Sequence, residues 1–146
     1  MRASQVRAAI VAAIEGVPAD APQHPGDYLA HIDLGADEPT SAPDRSFMVQ
    51  LAAQPSRIEA SSCDLFQVEY FVTVFYAAAQ PGVQDRMADD AERIHRALDW
   101  LHESHADIAR CDVNIAGLTP VEPEVILSQF SVVVVYRLDS NVLQNQ

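Results

Sequence analysis

Between Phe66 and Tyr76 the run FQVEYFVTVFY alternates apolar and polar residues. Phe66, Val68, Tyr70, Val72, Val74 and Tyr76 share one parity, and Gln67, Glu69 and Thr73 share the other. That period of two predicts a strand with one buried face. Phe71 and Phe75 interrupt its polar face and give it an apolar patch. A second run, FSVVVVYRL from Phe130 to Leu138, repeats the pattern, with Ser131 and Arg137 on the wetter side. Two such runs predict adjacent antiparallel strands of one sheet.

Helical spacing marks two other segments. Val6, Ile10, Ala13 and Ile14 recur on one face of residues 1–17, with Ser4 as the expected N-cap, Gly16 at the end and Pro18 beyond. From Val83 to about Glu103, the residues Val83, Met87, Ala91, Ile94, Leu98 and Leu101 form a core stripe. Trp100 lies nearly opposite that stripe, beside Arg93 and Arg96. An indole there needs a cover, which is either another segment of the same chain or a partner subunit, where Trp and Arg serve as anchors.

Weaker signals complete the order. PADAPQHPG predicts an extended connection. DYLAHIDLG, with Tyr28, Ala30, Ile32 and Leu34 in one parity, and FMVQLAA predict two strands joined by a long loop, Ala36 to Ser46. A loop of that length in a small domain commonly serves contact. A further strand is expected near Cys111 to Ala116, then a turn around TPVEP. The sequence thus predicts helix, three strands, helix, two strands. This is a single α+β domain over residues 1–146, with a largely antiparallel sheet of four to five strands and both helices against one face.

Composition narrows the function. The chain has no Lys, and its nine Arg face 21 carboxylates for a net charge of −12. With no basic cluster to displace counterions from phosphates, nucleic-acid binding is not expected as a primary role, although an acidic channel would let DNA pass without sticking. No signal peptide is recognised, and no segment approaches the roughly 20 apolar residues that span a bilayer. The two cysteines, Cys63 and Cys111, have no CxxC partner and are expected to be reduced thiols.

Candidate chemistry gathers in RIHRALDWLHESH, which holds three of the five histidines. His95, Asp99 and His102 fall on one flank of the predicted helix, yet the HExxH spacing of zinc proteases is absent and a further ligand would have to come from elsewhere. The expectation is a solvated flank or subunit contact, with no metal, cofactor or catalytic residue. A glycine-rich phosphate loop and a GxSxG elbow are also missing. Asp89 and Asp90 are adjacent on a helix and make a poor carboxylate pair. The alternative class is a small α+β enzyme or ligand-binding domain using His95, Asp99 and His102, which predicts a concave pocket of converging polar groups.

An N-terminal helix, a hairpin with a long loop, the long strand ending in FVTVFYAAAQP, the acidic helix MADDAERIHRALDWL and the final strand ILSQFSVVVVYRL together resemble the tail terminator proteins of long-tailed bacteriophages and gene transfer agents. The resemblance implies a virion structural protein, assembled in the host cytoplasm, that forms a hexameric ring on the tail tube. Such a ring stops tube growth and offers the surface for joining the head. Its implied partners are other copies of itself, the tube protein and the head-tail connector or a neck protein, with DNA only crossing the lumen and no membrane involved. A head-closure or neck ring is the neighbouring reading. On this resemblance Trp100, Arg93, Arg96, Phe71 and Phe75 are candidate ring contacts. Asp44 and Arg45 in the first loop, and Arg57 and Glu59 in a second loop over Gln54 to Asp64, are candidates for tube or connector contacts. The polar tail 139–146 is expected to be flexible until a neighbour orders it.

Overall fold

The computed structural model describes residues 1–18, 28–33, 44–58, 64–121 and 124–138, with only the backbone for 116 and 118–121. Its order is α1 (Ala3–Glu15), β1 (Ala30–His31), β2 (Ser46–Arg57), β3 (Leu65–Ala77), α2 (Val83–Asp99), α3 (Leu101–Ser104), β4 (Ile108–Val121) and β5 (Val125–Arg137). The strands form one sheet in the order β1-β2-β3-β5-β4. All pairings except β1 with β2 are antiparallel. The expected α+β domain, with both long helices on one face, is therefore the fold.

The core lies where the alternation and the helical stripes predicted it. Val68, Tyr70, Val72, Val74 and Tyr76 of β3 are buried with Phe130, Val132, Val134 and Tyr136 of β5, beneath Val6, Ile10 and Ile14 of α1 and Ile94 and Leu98 of α2. β3 and β5 pair along their whole length, from Leu65 opposite Arg137 to Ala77 opposite Val125. At about 25 cal/mol per Å² of apolar surface removed from water, this two-helix cover is the main stabilising term. The start of α1 is tied to the far end of the sheet, where the N-terminal ammonium donates to the Arg137 carbonyl (3.1 Å) and the Tyr70 hydroxyl donates to the Ala3 carbonyl (2.8 Å).

Several boundaries differ from the sequence reading. α1 begins one residue before Ser4, capped at Arg2, whose backbone N–H donates to Gln5 Oε1 (2.7 Å). Gln5 thus reaches back to the cap as the N3 residue of a capping box does, in place of the side-chain cap expected of Ser4. The first two strands are no hairpin: β1 is two residues long and runs parallel to β2, Ala30 opposite Ser46 and His31 opposite Phe47. Residues 32–45 supply the length that a parallel return requires.

β2 extends through Gln54–Arg57, so the first part of the expected second loop is strand. Register shifts after Leu51 and after Ala53 accommodate Pro55, which cannot donate to a ladder. Bulges and a proline also discourage pairing of this exposed edge with another chain. β4 runs on through Thr119 and Pro120, where a turn was expected, because Thr119 lies opposite Leu127 and Pro120 opposite Ile126. The expected long helix stops at Trp100, and α3 restarts it for one turn.

Candidate interaction surfaces

α2 organises the exposed chemistry. Its buried stripe leaves two flanks, and the flank toward α1 carries Arg93, Arg96 and Trp100 at spacings of three and four. Trp100 is 60% exposed, so no described residue supplies the cover an indole calls for. Ala12, Ala13 and Gly16 of α1 leave a gap of about 430 Å³ against Ala97, Arg93 and Arg96. Arg93 is partly buried there and donates from Nη1 to the Pro18 carbonyl (3.2 Å), tying the end of α1 to α2. The three residues grouped on the sequence as a contact patch are thus one surface, with Arg96 and Trp100 as its exposed part.

The other flank meets β4. α2 packs against β3 and β4 and leaves Ile115 of the edge strand uncovered. Met87, Ala88 and Ala91 therefore face Ile115 and Ile126 across an open groove of about 440 Å³. Ile115 is 69% exposed. The alternating pattern near Cys111 to Ala116 signalled the strand but not this groove, which depends on the place of β4 at the edge of the sheet.

Two expected contacts are buried instead. Phe75 is 1% exposed, although it lies on the sheet face away from the helices and outside the main core cluster. Parity assigns a side chain to a face but does not say that the face is wet. Phe75 sits between Ser46 and Leu127 on the neighbouring strands, and the Arg45 N–H donates to its carbonyl (2.8 Å). Phe71, two pleat repeats away, is half-buried on the same face.

Arg45 is also 1% exposed and points inward. Its Nε donates to Asp90 Oδ2 (2.9 Å) and its Nη2 to Oδ1 (2.8 Å), a two-pronged pair on α2. The Tyr76 hydroxyl donates to Oδ2 of the same carboxylate (2.9 Å). Burial, and then the Asp90 carboxylate beside it, push the Tyr76 hydroxyl well above its ordinary pKa. Next to it Asp44 accepts from the Ala77 N–H (2.9 Å) and from Arg86 Nη1 (3.1 Å). Asp44 and Arg45 therefore close the fold where β2 begins, and Arg45 is no surface contact. Asp90, set aside on the sequence as half of a poor carboxylate pair, is the centre of this network. A signal was present: Asp90 falls three residues after Met87 and four before Ile94, on the core stripe, where a carboxylate requires a buried partner.

Arg57 is exposed on β2, 3.7 Å from Asp64. Glu59, Cys63, residues 36–43 and the tail 139–146 lie outside the described residues. The histidine flank does not converge: His95 faces Asp99 at 3.5 Å, whereas His102 turns to Glu103 at 3.4 Å, and all four are about half exposed. Among the described residues no group of three or more His, Cys, Asp or Glu is arranged to hold a metal. Cys111 is a buried free thiol, pushed up to about 12 by burial, then by Asp99 and Asp112. No described helix is long and apolar enough to cross a membrane. Comparison of the chain with protein-family models and with curated proteins finds no match to either.

Proposed function

We propose that this chain is a tail terminator subunit, a virion structural protein whose copies form a hexameric ring on the tail tube, end its growth and present the surface that joins the head. The observation that carries the reading is Trp100, which no described residue covers, beside Arg96. An indole left in water next to an arginine suits an assembly anchor, whereas the histidine flank lacks the convergence that catalysis needs. The charge of −12 suits a lumen that DNA crosses without adhering.

Capping has a distinctive dose dependence. Added to polymerising tail-tube protein of the same source, the chain should arrest growth, followed by light scattering, at about one ring per tube end, far below one copy per tube subunit. Arrest that needs one copy per tube subunit, or growth unaffected by excess, would contradict the reading. Unaffected tubes together with binding to the head connector would identify a neck protein instead.

A further inference from the structure

We infer that two copies of this chain join through the free edge of β4, pairing antiparallel about a two-fold axis at Val113 so that one sheet runs through both. β4 ends the sheet, and among the described residues no strand pairs with its outer side. The opposite edge is guarded, since β1 covers the start of β2 and bulges and Pro55 interrupt the rest. On β4 the irregularities fall between Ile108 and Arg110 and between Ile115 and Gly117, which leaves Arg110 to Ile115 as a regular run.

Two hydrogen bonds at the end of β5 establish which way that run points its backbone. The Arg137 N–H donates to the Asp107 carbonyl (2.7 Å) beside β4, and the Leu138 N–H donates to the Asp64 carbonyl (2.9 Å) beside β3. Odd-numbered residues of β5, whose ladder with β3 is unbroken, therefore turn their N–H groups toward β4. Val135, Val133 and Ser131 stand opposite Arg110, Asp112 and Asn114, so those three bond to β5. Cys111, Val113 and Ile115, which alternate with them, aim N–H and C=O outward from the sheet.

The side chains select the register. With the axis at Val113, Cys111 exchanges hydrogen bonds with Ile115 of the second copy, and Val113 with its own counterpart. These side chains lie on the helix face, so Ile115, 69% exposed in the single copy, joins Cys111 and the two Val113 in an apolar row. On the other face Asp112 stands opposite Asn114 in the closer, non-hydrogen-bonded kind of pair, where the amide donates to the carboxylate. An axis at Asp112 would set like charges directly opposite, and one at Cys111 would run into the irregularity at Ala109. Charge favours a second copy as the occupant. The chain carries −12, yet Ile108–Val121 holds only Arg110 and Asp112 as charged residues, and these pair at 2.9 Å. At this neutral edge two acidic chains meet with least repulsion. The contact closes at two copies and does not rest on the ring reading.

Val113→Pro tests it, because the Val113 N–H faces outward and its loss leaves the ladder to β5 intact. In size exclusion with light scattering, wild type should run at twice the chain mass of 16.0 kDa. The variant should run at the chain mass, its association weaker by about thirtyfold or more, as expected for losing the central pair of hydrogen bonds. Asp112→Cys and Asn114→Cys read the register without depending on that variant, since facing Cα atoms about 4.5 Å apart are within disulfide reach. Mixed and oxidised, the two should cross-link to each other far more than either does alone. Wild type that stays monomeric at every concentration, a Val113→Pro assembly as large as the wild-type one, or a mixture that cross-links no better than its components overturns the pairing. Each of these results leaves the ring reading, which tube capping tests, where it stood.

Discussion

Asp90→Ala should destabilise the protein by about 3–5 kcal/mol, the cost of removing one partner from a buried ion pair. The substitution takes both carboxylate contacts from the Arg45 guanidinium, 1% exposed, and the acceptor from the Tyr76 hydroxyl. Arg45→Ala should be similarly severe, because it leaves the Asp90 carboxylate buried with only the tyrosine. Against a total stability of about 5–15 kcal/mol, either change consumes a large share. Tyr76→Phe should cost only about 1–2 kcal/mol, since the two prongs from Arg45 remain. The double variant Arg45→Met/Asp90→Leu should be milder than either single alanine, because no uncompensated charge is left. Urea unfolding of the four proteins checks the ranking. An Asp90→Ala midpoint equal to wild type would show that the pair does not hold the start of β2 to α2.

Stability should also fall steeply in alkali. The Cys111 thiol is pushed up to about 12 from its ordinary 9.0, mainly by burial. Between those values the unfolded chain has released a proton that the folded chain keeps, so the folded state binds more protons and stability declines as pH rises. The contribution is intact below about pH 9 and is lost on approaching pH 12. From Cys111 alone this amounts to about 1 kcal/mol between pH 9 and 10, and about 2 kcal/mol by pH 11. Tyr76 acts in the same direction at higher pH, its hydroxyl being raised by burial and by Asp90. Cys111→Val, which keeps an apolar group of similar size, should flatten the urea midpoint between pH 9 and 11 relative to wild type. Identical slopes for the two proteins would contradict the assignment.

The features legible in the sequence are those set by period. Alternation in β3 and β5 gave their pairing and buried face, and the spacing in α2 gave its core stripe and the outward position of Trp100. Strand direction was not legible. A long excursion between two short apolar runs permits either a hairpin or a parallel return, and β1 takes the second. Strand ends were hidden for a related reason. Gln54–Arg57 and Thr119–Val121 have loop-like composition, yet neighbours in register hold them in the sheet.

The candidate site divides in the same way. Trp100 and Arg96 were found because helical geometry places them outside the stripe. Arg45 was misplaced because a charged residue in a polar stretch gives no local sign of a partner 45 residues away. Its backbone is left-handed, with φ 57°, an uncommon conformation for a residue other than glycine. The bonds to Asp90 and to the Phe75 carbonyl help hold it there. The α2–β4 groove had no sequence signature, since it arises from the sheet order and not from any run of residues.

The ring is the central claim, and negative-stain electron microscopy of the purified protein, with and without tail tubes and at several concentrations, addresses it most directly. The account predicts rings, or caps on tube ends with tubes held at a fixed length. Featureless particles that neither cap nor limit the tubes at any concentration would contradict it.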